Sequence, residues 1–404
     1  MIKRVFALFF VLAFGLTFPQ LGQTRDWTFM VYMDGDNNLE GAGIDDFLEM
    51  ASVGSDSNVA IVVQFDRISG YDTQYQDWTI AHRFYITYGM TPIPTNAISN
   101  WGDGMGGREV NMGDPQTLKD FVEWAMNNYP ADNYALILWD HGSGWREAEA
   151  LQLRKPRFKA VCWDDTSGGD ALYMNEVQSA LSAIQIQTGN KINLLGFDAC
   201  LMGMVEVAYE IKDYADVMVA SEETIPYDGW PYDTILGDLV NLPTMTIKDF
   251  GSVIVNRYGE SYGVNSDTTL SAMELMNMDD LVANISNFAT YLQSDSYRRM
   301  VRRTRSRTQE YYYPEHIDLY HFADLIYRRA LDPSIGNAAY SLISALKNTV
   351  FAEFHGRQLP RSRGLAIYFP KRKVEFDDDY NCSVIDFPCD TDWDEFLNWY
   401  YISP

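Results

Sequence analysis

Two stretches of the sequence decide the fold: YALILWDHGSG at residues 134–144 and INLLGFDACLMG at residues 192–203. Each begins as an apolar run typical of a buried strand and ends in a reactive side chain. The carboxyl ends of parallel strands face the ligand crevice of an open α/β sheet, so two neighbouring strands would present His141 and Cys200 at one edge. A thiol beside an imidazole is the smallest set of groups needed for nucleophilic catalysis, because the imidazole removes the thiol proton and so generates the attacking thiolate.

Further apolar runs alternate with helical segments, which predicts an α/β fold with a mostly parallel central sheet. Asp114-Pro115 gives one helix a clear start, because it supplies an N-cap and a proline at the first helical position. The predicted strands are Trp27–Met33, Val59–Phe65, Ile80–Ile86, Ala135–Trp139, Val161–Trp163, Ile192–Phe197 and Val217–Ala220. The predicted helices are Leu39–Ala51, Gln116–Asn128, Asn175–Gln185, Val205–Tyr214 and Ile247–Tyr262.

The pattern becomes mainly helical after about Ser266, so we predict a first domain over residues 23–265 and a region over 266–404 that completes the fold. Two weak strands in this region, Leu270–Met276 and Leu365–Phe369, are expected to extend the sheet. Its predicted helices are Leu281–Leu292, Leu319–Ala330, Ala338–Phe354 and Trp393–Tyr400.

The N-terminus reads as a signal peptide over residues 1–22, because a basic start is followed by an apolar run, Val5–Phe18, too short to span a membrane. Since no later run is long enough either, we expect an exported protein without stable membrane insertion once the signal peptide is removed. The net charge of −25 argues against nucleic acid as a partner, because a duplex repels an acidic surface.

The four cysteines divide into three roles. Export permits disulfides, and Cys382 and Cys389 form the candidate pair, with two buried free thiols as the open alternative. Cys162 lies in an apolar run and is assigned to the core. Cys200 remains as the thiol with chemistry around it, since a helix-like segment follows it and a helix N-terminus stabilises a thiolate.

Glycines beside His141 favour close approach of a substrate carbonyl. The backbone N–H groups of Gly142 and Cys200 are therefore the candidate oxyanion hole, in which each donor is worth a few kcal/mol, on the order of 3.

Taken together, the sequence resembles the clostripain-type cysteine peptidases of the caspase-like clan, which includes gingipains, legumain and separase. The matching stretches are Trp27–Glu40, Leu136–Trp145, Asp164–Val177, Leu195–Met202 and Val219–Trp230. The resemblance implies a caspase-like sheet sandwiched by helices, with His141 and Cys200 as the catalytic dyad. Asp140 is not assigned as a third member, because neighbouring residues on a strand point to opposite faces.

The resemblance also implies cleavage after arginine, and often lysine, which requires an acidic S1 pocket. Asp198, two residues before the nucleophile, is the first candidate for that pocket, and Asp228 is the second. Glu222 and Glu223 are held in reserve. The Trp230 side chain is expected either to form a wall of the pocket or to pack in the hydrophobic core.

Relatives are often zymogens that cut themselves in a basic loop after the histidine, and residues 146–160 fit that description. We predict cleavage after Lys159, with Arg154 and Arg157 left open, and a monomeric enzyme. Two alternatives remain: the same fold with another P1 preference, or a non-catalytic surface or binding protein.

The sequence supports no cofactor or metal site. Asp34–Glu40 superficially suggests a calcium loop, but it lacks the glycine and the glutamate spacing of an EF-hand, and it reads better as the start of a helix. Some relatives use calcium, for which this sequence offers no support.

Overall fold

A nine-stranded sheet is the centre of the protein in the computed structural model, which describes residues 24–102, 106–144 and 160–402. The strands in chain order are β1 (Arg25–Gly35), β2 (Val59–Arg67), β3 (Ala81–Tyr85), β4 (Gly107–Arg108), β5 (Ala131–Trp139), β6 (Ala160–Asp164), β7 (Asp170–Tyr173), β8 (Ile192–Asp198), β9 (Ala215–Ala220), β10 (Thr269–Glu274), β11 (His316–Asp318), β12 (Val350–His355) and β13 (Ala366–Tyr368).

The order across the sheet is β12-β10-β9-β8-β5-β1-β2-β3-β4. The five central strands, from β9 to β2, are parallel, and the outer strands on both sides are antiparallel. Two short antiparallel pairs, β6 with β7 and β11 with β13, lie outside this sheet. Every strand before residue 144 is on one side of the β5–β8 junction, and every later strand of the sheet is on the other.

Helices pack on both faces of the sheet because the central strands are apolar on both. In β1, Met30 and Tyr32 join one hydrophobic core, whereas Phe29 and Val31 join the other. The helices are α1 (Glu40–Val53), α2 (Pro115–Asn128), α3 (Met174–Thr188), α4 (Val205–Ile211), α5 (Tyr232–Asn241), α6 (Ile247–Tyr262), α7 (Met278–Leu292), α8 (Arg298–Arg305), α9 (Leu319–Tyr327), α10 (Pro333–Thr349), α11 (Phe387–Asp390) and α12 (Trp393–Tyr401). Helices α1, α5 and α6 cover the second face, and most of the others cover the first. The predicted α/β fold class, a mostly parallel sheet sandwiched by helices, is confirmed.

Three of the predicted elements differ in the structure. The helix predicted to run to Phe354 ends at Thr349, and the chain continues as β12, because Val350–His355 finds pairing partners along β10. Val161–Trp163 lies in the β6–β7 hairpin and not in the sheet. Leu365–Phe369 pairs with β11 and does not extend the sheet.

Residues after 266 complete the central sheet, since β10 and β12 are two of its strands. The domain division at residue 265 stays a prediction. The predicted disulfide is confirmed, because Cys382 is bonded to Cys389. Within the described residues, every helix is too short or too polar to cross a membrane.

Helix α1 is held on the sheet by a buried ion pair. Arg67, at the end of β2, lies 2.7 Å from Glu40 at the start of α1, and both side chains are fully buried. The guanidinium also donates to the carbonyl oxygens of Asp72 and Gln74 and lies 4.8 Å above the ring of Trp78. These contacts offset the cost of removing two charges from water.

Replacing Arg67 by Met will lower the free energy of unfolding by about 3 kcal/mol, because Glu40 is left as a buried, uncompensated charge. Chemical denaturation in a Cys200→Ala background, which prevents self-digestion, measures the loss. Lys119→Met, which breaks the more exposed Lys119–Glu123 pair on α2, is the matched control and should cost under about 0.5 kcal/mol. Equal losses in the two variants would contradict a structural role for the Arg67–Glu40 pair.

Candidate active site

The parallel pairing of β5 with β8 brings the predicted dyad to one edge of the sheet. Leu138 pairs with Phe197 and Trp139 with Asp198, and the Asp140 N–H continues the ladder by donating to the Asp198 carbonyl oxygen at 3.3 Å. His141 lies two residues after Trp139, and Cys200 lies two residues after Asp198, so the same offset matches them. Cys200 is a half-buried free thiol.

Gly142 lies directly against the Cys200 backbone. A Cβ atom at position 142 would be 2.6 Å from the Cys200 carbonyl oxygen and 3.0 Å from its nitrogen, so only glycine fits. In the described part of the chain, neither the Gly142 nor the Cys200 N–H donates an internal hydrogen bond. Both remain available to a substrate oxygen, although their role as an oxyanion hole stays a prediction.

The Cys200 thiol is protonated at rest. Burial raises its pKa to about 11, and the nearby carboxylates Asp198 and Glu223 act in the same direction. The N–H of Ile225 lies 3.4 Å from Sγ and partly offsets this increase. Attack therefore requires a base that removes the proton as the thiol reacts.

His141, the predicted base, is held by Asn38, a residue that the sequence analysis did not identify. The His141 Nε2 atom is 2.8 Å from Asn38 Oδ1, and an amide oxygen can only accept, so Nε2 carries the proton and Nδ1 is the basic nitrogen. Burial lowers the pKa of the imidazole, which keeps it neutral at neutral pH. Asn38 follows β1, the strand next to β5, and only this adjacency reveals it.

Asp140 supports the loop that carries Asn38 without touching the imidazole ring. One carboxylate oxygen accepts from the Asn37 side chain at 2.7 Å, and the other accepts from the Trp163 N–H. Its side chain is buried.

An acidic cavity of about 260 Å³ lies at the same edge of the sheet. Its floor comes from α1 and its rim from the loop before α5. The lining residues are Ala42, Asp45, Asp46, Glu49, Tyr227 and Asp228.

The chain matches the Clostripain family model (Peptidase_C11) over residues 31–400. It is 30% identical over 341 residues to clostripain of Hathewaya histolytica, a match that covers 74% of this chain and 61% of that relative. This chain belongs to the clostripain family.

Solved structures of C11 proteases share the fold. A secreted C11 cysteine protease of Bacteroides thetaiotaomicron, in complex with an irreversible peptide inhibitor, superposes with a TM-score of 0.64 at 19% identity, over 91% of this chain and 99% of that one. An inactive zymogen C11 protease of Parabacteroides distasonis gives a TM-score of 0.61 at 20% identity, over 93% of this chain and 97% of that one. The resemblance seen in the sequence is confirmed. Clostripain-family enzymes are cysteine peptidases, a chemistry that requires no cofactor.

The remaining residues predicted for the clostripain-family site have separate positions. Asp198 is buried behind the cavity, where its carboxylate accepts from the Trp230 N–H and the Tyr232 hydroxyl, both at 3.0 Å. Trp230 is fully buried and lies over Gly196, which makes it core packing more than a pocket wall. Lys159, Arg154 and Arg157 lie outside the described residues.

Neither reserve glutamate lines the cavity. Glu222 is buried and accepts from the Tyr311 hydroxyl at 2.6 Å. Glu223 accepts from the Thr224 N–H at 2.8 Å and the Tyr312 N–H at 3.2 Å. Both hold the loop behind Cys200.

Replacing Asn38 by Asp will move the acid limb of the pH profile of kcat/KM to higher pH. In the wild type, activity falls as the pH drops through the lowered pKa of His141, because the protonated imidazole cannot act as a base. A carboxylate at position 38 stabilises the imidazolium and raises that pKa. Turnover of a fluorogenic peptide across the acidic range measures the shift.

Asn38→Ala is the companion variant, because it removes the orienting acceptor without adding charge. It should lower kcat by about tenfold or more while KM changes little, with no shift of the acid limb to higher pH. Asn128→Ala, at the exposed end of α2, should leave both parameters unchanged. Wild-type kcat in Asn38→Ala would exclude the positioning role.

Proposed function

We propose that this protein is an exported endopeptidase that cleaves polypeptides after arginine or lysine, using Cys200 and His141, and that it activates itself by cleavage after Lys159. The observation that supports the specificity is the acidic cavity, in which four carboxylates from α1 and the 227–228 loop meet. No lysine or arginine lines it among the described residues.

The loop that contacts Cys200 continues directly into the cavity. The Ile225 N–H points at Sγ, and Tyr227 and Asp228, two and three residues later, line the cavity. The P1 side chain of a peptide whose carbonyl lies at Cys200 would therefore have a short path to the carboxylates. A guanidinium or ammonium group buried there gains charge-assisted hydrogen bonds.

Gly229 separates the cavity acids from Asp198. A Cβ at this position would be 3.0 Å from an Asp46 oxygen and 3.1 Å from an Asp198 oxygen. Asp46 is thus close to Asp198, and together they extend the negative region beneath the cavity. Asp198 supports S1 from below in this proposal, and Asp228 lines it.

Some of the carboxyl groups in and beneath the cavity are protonated near neutral pH. Burial raises the pKa of Glu49 to about 7 and that of Asp198 to about 7, and neighbouring acids act in the same direction. A bound cation would lower these values and displace the protons, so binding of a basic P1 residue should weaken as the pH falls below about 7.

The catalytic step follows from the resting state of the dyad. His141 Nδ1 takes the thiol proton as Sγ attacks the scissile carbonyl carbon, and the N–H groups of Gly142 and Cys200 stabilise the oxyanion. The imidazolium then protonates the leaving amine, giving an acyl-enzyme. Water, deprotonated by the same imidazole, hydrolyses the acyl-enzyme.

The sheet order supports activation without loss of structure. Both ends of the 145–159 segment are anchored, since the Ser143 N–H donates to the Ala160 carbonyl oxygen and Gly142 bridges to Val161. After a cut, pairing of β5 with β8 would keep the fragments together. One protein of the same fold is described as an inactive zymogen, which is in line with this route.

Export is proposed from the sequence at residues 1–22, and a protein of the same fold is described as secreted. The enzyme is expected to act as a monomer. Because the match spans only 61% of the clostripain sequence, the substrate of this enzyme is not taken from that relative.

Asp228→Asn will raise KM for a peptide ending in arginine by about tenfold or more, because one carboxylate facing the guanidinium loses its charge. kcat should change little, since Asp228 is assigned to binding of the P1 side chain and not to the reacting atoms. Asp280→Asn, an exposed acid at the start of α7, makes the same change in net charge and should leave KM unchanged.

Fluorogenic peptides ending in Arg, Lys, Asp and Asn test the specificity directly. Turnover of only the acidic or amide substrates would show another P1 preference on the same fold. No turnover of any of them, with no labelling of Cys200 by an acyloxymethyl ketone, would favour a non-catalytic binding protein.

Purified wild type should split into two fragments, and Cys200→Ala should stay intact, because the nucleophile that makes the cut is missing. Mass spectrometry should place the new ends at a Lys or Arg bond between residues 146 and 160, and Lys159→Ala should slow the cut at the main site. An intact, fully active wild type would contradict activation by cleavage.

A further inference from the structure

Helix α8 is strongly basic in a chain whose net charge is −25. Residues 298–307 read RRMVRRTRSR, so six of these ten residues are arginine and none is acidic. Like charges three and four residues apart on a helix repel one another. The helix dipole stabilises arginines in the last turn but not Arg299 at the start. The helix therefore keeps part of this charge at a cost in stability.

Two of the six arginines have structural roles. Arg298 donates to the Ile402 carbonyl oxygen at 2.6 Å and lies 4.3 Å from the ring centroid of Trp399, which fastens α8 to the end of α12. Arg305 is buried and lies 2.6 Å from Glu310. The other four arginines are exposed, so the structure of the chain itself does not account for them.

A second basic segment, residues 371–373, lies beside α8. Lys371 is 2.5 Å from Glu310, the carboxylate that Arg305 also contacts. Arg372 is 2.6 Å from Glu375. Lys373 is exposed, and its ammonium group lies over the ring of Tyr401 at the end of α12.

Five exposed side chains from the two segments therefore form one basic surface around the end of α12. None of the five makes an ion pair with a described residue, whereas the nearby acids Asp295, Glu310 and Glu375 are each engaged by another arginine. The members of the basic surface are Arg299, Arg302, Arg303, Arg307 and Lys373.

Two exposed apolar side chains lie next to the basic surface. Val374, which follows Lys373, is 82% exposed, and Ile402, whose carbonyl oxygen Arg298 holds, is 64% exposed. Basic groups beside exposed apolar side chains are typical of proteins that bind the surface of an anionic membrane. A soluble polyanion would gain nothing from the two apolar side chains.

We propose that the basic surface binds the anionic headgroups of a lipid bilayer, so that the protein lies on the membrane without inserting into it. The arginine forks match the geometry of phosphate groups, which each headgroup supplies. At physiological salt, charges farther away than about 8 Å are largely screened, so the acidic remainder of the chain opposes this contact only weakly. The binding depends neither on the proposed cleavage reaction nor on the P1 specificity.

Membrane binding can be tested in full-length Cys200→Ala, which lacks the proposed nucleophile and so cannot digest itself. Vesicles of equal parts phosphatidylcholine and phosphatidylglycerol should co-sediment the protein at low salt, and vesicles of phosphatidylcholine alone should not. Binding should weaken as the salt concentration rises, because the contacts are between charges. Arg299→Gln combined with Arg303→Gln should lower the affinity by about tenfold or more.

Lys248→Gln combined with Arg357→Gln is the matched control, because it removes two exposed positive charges elsewhere. Lys248 lies on α6, which covers the other face of the sheet, and the Arg357 N–H donates to the Val264 carbonyl oxygen just after α6. This variant should bind vesicles like its parent, and both double variants should keep the Tm of the parent. Val374→Ser should weaken vesicle binding by about threefold and leave binding of soluble dextran sulfate unchanged.

Three results would overturn the proposal. The first is that the anionic vesicles fail to co-sediment the protein at low salt, and the second is that the two double variants lose binding equally. The third is binding of dextran sulfate without binding of vesicles, which would assign the basic surface to a soluble polyanion instead of a bilayer.

Discussion

The structure depends on one constraint, the parallel pairing of β5 with β8. This pairing fixes where both predicted catalytic residues leave the sheet, and the absence of a side chain at Gly142 lets the two strand ends approach to contact. The hydrophobic cores on the two faces hold this pair of strands in place, and His141 and Cys200 follow directly from its two ends. The positions of His141 and Cys200 are therefore set mainly by the sheet and less by the loops.

Acidic residues of the chain lie in two groups at this same edge of the sheet. One group of carboxylates lines the cavity near Asp228, and another lies between Asp36 and Asp164. Both groups are partly buried, and both raise the pKa of their members through burial and mutual repulsion. The proposed function assigns a cationic occupant, the P1 side chain, to the group that lines the cavity.

The elements that could be predicted from the sequence are those determined by residues close together in the chain. Buried strands such as β8 are short apolar runs, and α2 begins at Asp114-Pro115, where the Asp114 side chain accepts from the Gln116 N–H as an N-cap. The position of His141 relative to Cys200 followed from two strand ends and a family resemblance. Helix α5 was missed, and β12 was absorbed into the preceding helix, because a short apolar run does not distinguish helix from strand.

What could not be predicted is what tertiary structure alone brings together. Asn38 meets His141 across 103 positions of sequence, and Asp66 of the main sheet lies close to Asp164 of the β6–β7 hairpin. Neither pair has a spacing motif. The segment from Asp34 to Glu40 shows the difficulty, since its local spacing does not indicate that the fold places Asp36 close to Asp66, Glu109 and Asp164.

The strand order has a thermodynamic consequence. Because the strands before residue 144 and those after residue 160 occupy opposite halves of the main sheet, one cut between them turns a single chain into two subunits whose interface is the middle of the sheet. Unfolding of the cut form would then separate two molecules, so its resistance to heat would fall on dilution, unlike that of the uncut precursor. The thermal stability of the protein would therefore depend on its concentration only after the cut.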